Sequence, residues 1–311
     1  MNYLDQKLSP NMNRDVKSEV LRQKRGIKWG AVAGFIFIIA LASDGVWARP
    51  YYRFWRGWKI PQRSGQAYSY EQFAQDINQV FIPRTVAYGS HGALISYLPV
   101  LPATPAETSA LRTQGIDLPD EVALVVYDTL ENYTSLRNTE EGRSYADLHR
   151  VYFDMDAVSE RSKSRSAVPE EYVGAVALSH AYDLLASSAN WREAPLRRET
   201  TRFVLRVKKP ETSDAEYLRE VTFHFNQLRE NAESLGLVSV VAFVDPKYWM
   251  EYQTWERPTR FEDPSHQMSR LPVNLGRSLD SVVLQTISLN LPPYQAGHSE
   301  IHYGDGGNVQ W

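Results

Sequence analysis

The chain has 311 residues, a formal net charge of -3 and no cysteine. The absence of cysteine excludes disulfides, thiolate metal sites, cysteine-ligated iron–sulfur clusters and cysteine nucleophiles. The slightly acidic balance argues against a nucleic-acid partner, which would require a basic face. A hydrophobic content of 43% and a charged content of 23% are ordinary for a globular protein and leave room for one or two domains.

The longest uncharged run of the chain lies near its start, WGAVAGFIFIIALAS at Trp29–Ser43. With its flanks it predicts a transmembrane helix over residues 26–48, with Trp29 and Trp47 at the two membrane interfaces. The polar residues 1–25 before it are predicted to form a cytoplasmic tail. Two alternatives stay open, a signal peptide cleaved after Ala42 and a buried core helix.

Residues 49–67 are a dense mixture of aromatic and basic side chains. Because aromatic rings and long cations are favoured at the level of lipid headgroups, we predict a segment that lies along the membrane surface. Its interface side chains would be Tyr51, Tyr52, Phe54, Trp55 and Trp58. The basic cluster before the uncharged run favours a cytoplasmic N-terminus. The protein is therefore predicted to be a single-pass protein of a bacterial inner membrane, with its body in the periplasm.

Residues 68–156 carry the pattern of a first α+β unit. Helical spacing of apolar residues and a capping Ser69 predict a helix from Tyr70 to about Val86. The runs ALISYLPVL (93–101) and EVALVVY (121–127) predict buried strands, joined by a proline-rich loop. A helical stretch is predicted from Leu130 to Phe153, broken near Gly142.

Residues 157–200 are predicted to form a charged, serine-rich linker and a connecting strand, and residues 201–291 a second α+β unit. In that unit a strand, TRFVLRV, precedes a helix that ends at Gly236, and a buried strand, LVSVVAFV, follows. Asp245-Pro246 is predicted to open a short helix that runs through Trp255. An alternating strand covers residues 280–291, and residues 292–311 are predicted to be an extended tail.

The two units contain a weak internal repeat, Val122–Leu136 against Val238–Tyr252, in which a buried strand is followed by aspartate and an aromatic-rich segment. This order resembles the ferredoxin-like βαββαβ unit, in particular the dimeric α+β barrel group, in which two such units pack sheet to sheet. The resemblance implies an α+β fold with two ferredoxin-like units packed as one body behind the membrane helix. Members of the group include small monooxygenases and haem-degrading enzymes, but none of their catalytic residues is matched here.

Three potential metal ligands lie close together near the end of the chain, at His298, Glu300 and His302. On a strand these alternating positions share one face, and two histidines with a carboxylate form a known ligand set. The alternative is an exposed polar tail. No other residue pattern predicts a catalytic or cofactor-binding site, and no cofactor is predicted.

A membrane anchor without recognisable catalytic residues favours a structural role. The first hypothesis is a non-catalytic accessory subunit of a bacterial membrane complex, for example a photosynthetic reaction-centre–light-harvesting or respiratory assembly. Its partners would be integral membrane subunits and the lipid bilayer. The second hypothesis is a membrane-anchored periplasmic enzyme of the monooxygenase-like, dimeric α+β barrel type. The third is a periplasmic protein-binding module.

Overall fold

The computed structural model describes residues 50–89, 94–102, 105–155, 164–186, 199–256, 279, 281–294 and 300–301. The predicted cytoplasmic tail and transmembrane helix, with Trp29 and Trp47, lie outside these residues. Within the described ranges, no helix is both long and apolar enough to cross a membrane.

The first unit follows the order strand, helix, strand, strand, helix, strand. Its elements are β1 (Tyr51–Gly57), a small hairpin of β2 (Gln62–Arg63) and β3 (Gln66–Ala67), α1 (Tyr70–Asp76), a π-helical turn (Ile77–Phe81), α2 (Ile82–Gly89), β4 (Leu94–Val100), α3 (Pro105–Thr113), β5 (Glu121–Tyr127), α4 (Leu130–Arg137), α5 (Glu140–Tyr152) and β6 (Ser164–Ala167). Four strands pair in the order β4-β5-β1-β6. This is the ferredoxin-like arrangement, in which the first strand is central and the fourth lies at an edge.

The second unit repeats the arrangement after two short strands. The elements are β7 (Glu170–Glu171), β8 (His180–Asp183), β9 (Glu199–Lys208), α6 (Asp214–Glu230), α7 (Ala232–Leu235), β10 (Leu237–Val244), β11 (Tyr248–Glu256) and β12 (Val283–Tyr294), and β13 (Glu300–Ile301) returns to pair with β4 of the first sheet. The second sheet has the order β12-β9-β11-β10-β8-β7. Its first four strands again have the ferredoxin-like order, so the predicted α+β class with two ferredoxin-like units is confirmed.

Local sequence signals set several helix ends. Ser69 accepts a hydrogen bond from the backbone N–H of Gln72, whose side chain in turn bonds the Ser69 N–H, so a capping box starts α1 as predicted. Thr139 caps α5 by accepting a hydrogen bond from the backbone N–H of Gly142. Gly236 adopts a left-handed conformation, with φ of 68°, and ends α7.

The two sheets pack face to face through alternate residues of their central strands. Phe54 of β1 is fully buried, and its ring centroid lies 5.7 Å from that of Phe243 and 5.6 Å from that of Tyr252. The Tyr252 hydroxyl donates to the backbone carbonyl of Leu98, across the two sheets, at 2.8 Å. The main core of the protein is therefore this intersheet layer, and α1, α2 and α5 cover the outer face of the first sheet.

An ion pair between a buried arginine and a partly exposed aspartate joins the units at the edge of that layer. Arg56 of β1 lies 3.3 Å from Asp245 and 3.4 Å from the hydroxyl of Tyr248. Its guanidinium lies 3.7 Å from the ring centroid of Phe243, a cation–π contact. Because Arg56 is buried, loss of Asp245 would leave an uncompensated charge in the core.

The segment predicted to lie on a membrane surface is a central strand instead. β1 pairs with β5 along seven residues and with β6 along four, so its backbone is bonded on both edges. Tyr52, Phe54 and Trp58 are buried in the protein, and Tyr51 and Trp55 are partly buried. The predicted boundary at residue 68 thus falls after the first strand of the unit.

The predicted short helix after Asp245 is also a strand. β10 and β11 form a tight hairpin in which Val244 pairs with Trp249. The internal repeat therefore pairs strands that do not correspond in the fold. It pairs β5, the third strand of the first unit, with β10, the second strand of the second unit. A helix, α3, also lies within the predicted proline-rich loop.

Replacement of Phe54 by alanine tests the place of β1 in the core. We expect Phe54→Ala to lower the free energy of unfolding by about 3–5 kcal/mol, because it leaves a cavity between the sheets. The control is Phe223→Ala on α6, whose side chain is 41% exposed. Urea denaturation of both variants measures the difference, and equal losses would contradict the assignment of β1 to the core.

Candidate active site

A cavity of about 280 Å³ opens on the outer face of the first sheet, beneath the helices. We call it the aromatic cavity. Rings and two cations make up most of its wall. The lining residues are Arg53, Trp55, Phe81, Tyr88, Tyr97, Val125, Tyr127, Tyr133, Arg137, Gly142, Tyr145, Ala146, His149, Met155 and Ser166.

The floor of the aromatic cavity comes from the outward-facing residues of three strands. Successive side chains of a strand point to opposite faces of the sheet. The residues of β1 that alternate with Phe54 therefore face the helices, which places Arg53 and Trp55 at the cavity. Tyr97 of β4 and Tyr127 of β5 reach the same face. Each of these strands thus contributes the side chains of one face to the intersheet core and those of the other face to the cavity.

The roof of the aromatic cavity comes from α2 and α5. Tyr145 and His149 are four residues apart on α5 and so share one helix face. The Tyr145 ring stacks on that of Tyr88, with centroids 4.4 Å apart and planes inclined by 17°. The His149 ring meets Phe81 and Trp55 edge to face, at 4.9 and 5.1 Å. Aromatic contacts on three sides fix the orientation of this imidazole.

His149 is a neutral imidazole with one nitrogen available. Its Nδ1 lies 2.9 Å from the Tyr145 carbonyl oxygen, which can only accept, so Nδ1 carries the proton and donates it. Burial lowers the pKa of His149 to about 4. The lone pair of the neutral ring is then on Nε2, for which no hydrogen-bond partner occurs among the described residues. This nitrogen can accept a proton or a hydrogen bond from a molecule in the cavity.

A buried carboxyl group lies beneath the cavity floor, at the start of β5. The carboxyl oxygens of Glu121 accept hydrogen bonds from Trp55 Nε1 at 2.8 Å and from the Tyr97 hydroxyl at 2.7 Å. Burial raises the pKa of Glu121 to about 7, although both hydrogen bonds act to lower it. Glu121 therefore changes charge near neutral pH and holds two residues of the cavity wall.

Two arginines supply positive charge to the aromatic cavity. Arg53 is held by Ser166, whose hydroxyl accepts from Nε at 2.7 Å, and its guanidinium lies 5.6 Å from the ring centroid of Tyr133. Arg137 on α4 contacts the Tyr133 hydroxyl at 3.5 Å. The phenols around them remain neutral, since burial raises the pKa of Tyr88 to about 12 and that of Tyr127 further. An anionic group on a bound molecule would therefore meet cations and neutral hydroxyls.

Two glycines allow the close packing around the cavity. A Cβ on Gly57 would lie 2.5 Å from the Phe153 ring and 3.0 Å from the Trp55 indole nitrogen. A Cβ on Gly142 would lie 2.3 Å from the backbone carbonyl of Leu136, where α4 meets α5. Any larger residue at either position would move the strand or helix that carries a cavity residue.

The second unit contains a buried polar network between its sheet and α6. Glu251 of β11 faces α6 and accepts from Arg206 at 2.7 Å, from His224 at 2.9 Å and from the Trp249 indole at 2.6 Å. Burial acts to raise the pKa of Glu251, but Arg206, His224 and these hydrogen bonds hold it well below its usual range. Both units thus bury a carboxylate on the helix side of the third strand, and only in the second does a buried arginine neutralise it.

The structure brings together few of the sequence-predicted site residues. Tyr51 and Trp55 lie at or beside the cavity, whereas Tyr52 and Phe54 belong to the intersheet core. Of the predicted metal ligands only Glu300 is described, in β13, while His298 and His302 lie outside the described residues. Among the residues that the structure describes, no cluster of three or more histidine and acidic side chains could hold a metal ion. Their metal site therefore stays a prediction.

The sequence did not point to His149 or Glu121. In the sequence Glu121 is the first residue of a predicted buried strand, and His149 is one residue of a predicted helix. The available signal was the spacing of Tyr145, His149 and Tyr152 along one helix, an aromatic stripe that contains a histidine. That signal alone does not separate a site from an ordinary packed face.

Comparison with known proteins gives distant structural neighbours only. No family model and no curated protein matches the chain. A "putative monooxygenase" of Fusobacterium nucleatum is 8% identical with a TM-score of 0.40, over 84% of this chain and 99% of that one. A "putative monooxygenase" of Lactobacillus acidophilus is 9% identical with a TM-score of 0.35, over 83% and 97%. An anthrone oxidase-like protein is 11% identical with a TM-score of 0.31, over 84% and 95%.

The prediction that this chain is not an enzyme is contradicted by these neighbours, two of which are named monooxygenases. These names agree better with the enzyme alternative than with the non-catalytic accessory subunit. Identities of 8–11% are too low for the likeness to assign an activity. The case for a particular reaction has to come from the aromatic cavity itself.

Stability measurements at two pH values test the neutral state of His149. The pKa of His149 is lowered from 6.5 to about 4, so between these values the unfolded chain binds a proton that the native ring does not. Acidification from pH 7 to 4.5 should therefore destabilise the wild-type protein by about 1–3 kcal/mol more than His149→Gln.

Urea denaturation at the two pH values gives this difference. The exposed His180 on β8 provides the control, as His180→Gln. Equal acid sensitivity of wild type and His149→Gln would show that the imidazole is charged in the folded protein.

Proposed function

We propose that the chain is an enzyme of monooxygenase type that binds a flat, acidic ring compound in the aromatic cavity and removes a proton from it. The observation that carries the proposal is His149, a neutral imidazole with its Nε2 lone pair available in a cavity walled by aromatic rings. A base of this kind in a concave, mostly apolar site with a few polar groups is the usual setting of enzyme catalysis.

The walls of the cavity favour a planar substrate. Aromatic side chains hold rings by stacking and edge-to-face contact, and Tyr88, Tyr145, Trp55 and Phe81 offer both geometries. The volume of about 280 Å³ is at the lower end of the range for small-molecule sites. We infer a compound of two or three fused rings, with a carbonyl or phenol group that makes one of its protons acidic.

The first step of the proposed reaction is proton transfer to His149. Nε2 takes a proton from a carbon next to the substrate carbonyl, and the electron pair of that C–H bond moves onto the carbonyl oxygen. The low pKa of the free imidazole makes it a weak base, but the anion formed beside it stabilises the imidazolium. Arg53 and Arg137 stabilise the negative charge on the substrate oxygen.

Dioxygen completes the proposed reaction as co-substrate. The substrate anion gives electrons to dioxygen and a C–O bond forms at the deprotonated carbon. The peroxide takes up the proton held by His149, and loss of the remaining C–H proton with cleavage of the O–O bond then leaves a carbonyl group on the substrate. The outer oxygen departs as hydroxide, which takes up that second proton and becomes water. A CH₂ group and O₂ thus become C=O and H₂O. The names of the distant neighbours agree with this chemistry without adding weight to it.

The predicted tether is independent of this reaction. We propose that residues 26–48 hold the enzyme at a bacterial inner membrane, with its body in the periplasm, and the support for this is the uncharged run Trp29–Ser43.

Hydrogen–deuterium exchange tests the base. In D₂O the full chain should accelerate exchange at the C1 protons of 2-tetralone, a fused-ring ketone, followed by proton NMR. His149→Gln should lower this rate by at least about 10²-fold, the usual contribution of a positioned base. Retained binding of 1-hydroxy-2-naphthoate, within about 3-fold, would show that the cavity is intact. Unchanged exchange in His149→Gln would refute the assignment.

The charge of Arg137 should contribute to the affinity of the aromatic cavity for anions. We expect Arg137→Gln to weaken binding of 1-hydroxy-2-naphthoate about 3- to 10-fold, because a charge-assisted contact is lost at a partly solvated site. The matched control is Arg143→Gln on α5, whose guanidinium bonds the Asn138 carbonyl and is not part of the cavity lining. Fluorescence titration measures both, and an equal effect would exclude a role for Arg137 in binding.

A further inference from the structure

The buried carboxyl group of Glu121 has no part in the proton transfer described above, yet it touches two residues of the cavity wall. The Trp55 indole donates to one of its oxygens and the Tyr97 hydroxyl to the other. Glu121 is fully buried at the start of β5, so neither bond is shared with bulk water. An ionised carboxylate in such a place requires stabilising partners, because burying a charged carboxylate costs free energy.

Trp55 connects this carboxyl group to His149. Its indole N–H points to Glu121, and its ring makes the edge-to-face contact with the imidazole at 5.1 Å. His149 is held on its other side by the Tyr145 carbonyl. The Trp55 ring is therefore one of the contacts that fix the direction in which His149 presents Nε2.

We propose that Glu121 is a positioning residue, whose ionised carboxylate fixes the Trp55 indole and through it the imidazole of His149. This inference rests on the proposed role of His149 as the base. It makes the aromatic cavity responsive to pH through a group that does not itself meet the substrate.

The hydrogen-bonding chemistry explains why the charge state matters. A carboxylate only accepts, and both of its partners can donate. When Glu121 takes up a proton, the Tyr97 hydroxyl can rotate to accept that proton, but the indole N–H can only donate. The bond to Trp55 then changes from a charge-assisted to a neutral one, which is longer and weaker. Protonation thus loosens the cavity wall selectively at Trp55.

The titratable groups that interact electrostatically with Glu121 come from three packed elements besides its own strand and that of Trp55. They are the phenols of Tyr97 on β4 and Tyr145 on α5, and that of Tyr252 on β11, which lies on the other side of the sheet. His149 on α5 lies beyond the indole. All of these are neutral near pH 7, so no cation among the described residues that set its environment holds the carboxylate ionised. The change of charge therefore falls near neutral pH, in agreement with a pKa of about 7.

The test follows the indole N–H of Trp55 by nitrogen–proton NMR of the full, ¹⁵N-labelled chain between pH 5 and 9. The chain has eight tryptophans, and the resonance that Trp55→Phe removes is that of Trp55. We expect this resonance to move with a midpoint near pH 7, and Glu121→Gln to abolish the movement. A Trp55 resonance that does not titrate, or titrates unchanged in Glu121→Gln, would overturn the proposal.

A second variant keeps the test decisive if Glu121→Gln does not fold. Tyr97→Phe removes one of the two hydrogen bonds that lower the pKa of Glu121, so the midpoint should rise measurably. Tyr88→Phe is the matched control, because that phenol lines the same cavity without bonding Glu121. An unchanged midpoint in Tyr97→Phe, or an equal shift in Tyr88→Phe, would contradict the assignment.

The exchange reaction of 2-tetralone separates positioning from support of the fold. In Glu121→Gln we expect the turnover number to fall about 10-fold with little change in KM, and the pH profile to lose its inflection near pH 7. A raised KM with an unchanged turnover number would instead mean that Glu121 only shapes the binding surface. Because the NMR titration needs no turnover, it decides on Glu121 even if His149→Gln exchanges at the wild-type rate and the proposed reaction fails.

Discussion

Alternation along β1 is the constraint on which both halves of the structure depend. Its residues point alternately to the intersheet core and to the helices. Phe54 and Trp55 are therefore neighbours in sequence, but Phe54 packs in the core and Trp55 lines the cavity. Phe54 contacts Phe243 and Tyr252 of the second unit, which joins the two sheets. Trp55 contacts His149 and Glu121 on the other face. A shift of β1 by one residue would move every side chain to the opposite face and remove the core and the cavity together.

The composition of β1 explains why the sequence was misleading there. Its aromatic and basic residues are also those of a membrane interface, and an apolar run precedes them. Period-two alternation was present but hidden, because both faces of this strand carry aromatic rings and an arginine. Arg53 packs on Tyr133 at the cavity, and Arg56 pairs with Asp245 in the core. Patterns based on polarity cannot recognise a strand whose polar residues are buried through partners distant in sequence.

The same reason accounts for the missed strand β11. Glu251 and Gln253 alternate with Met250 and Tyr252, and all four are buried. Where polarity and burial do agree, the sequence was sufficient. EVALVVY is β5 as predicted, and Ser69 and Gly236 mark helix ends as predicted. The candidate site could not be predicted, because the environment of His149 is formed by Trp55 and Phe81, which come from other elements of the fold.

The two buried glutamates show how one fold can surround the same buried group in two different ways. Glu251 stays ionised, because Arg206 lies beside it and His224 and Trp249 donate hydrogen bonds to the same carboxyl oxygen. Glu121 has two neutral hydrogen-bond donors and, in the part of the chain that the structure describes, no cation that stabilises its charge, so its charge is balanced less completely. Sensitivity to pH at the aromatic cavity therefore has one structural cause, a buried carboxyl group whose hydrogen-bond partners belong to the cavity wall.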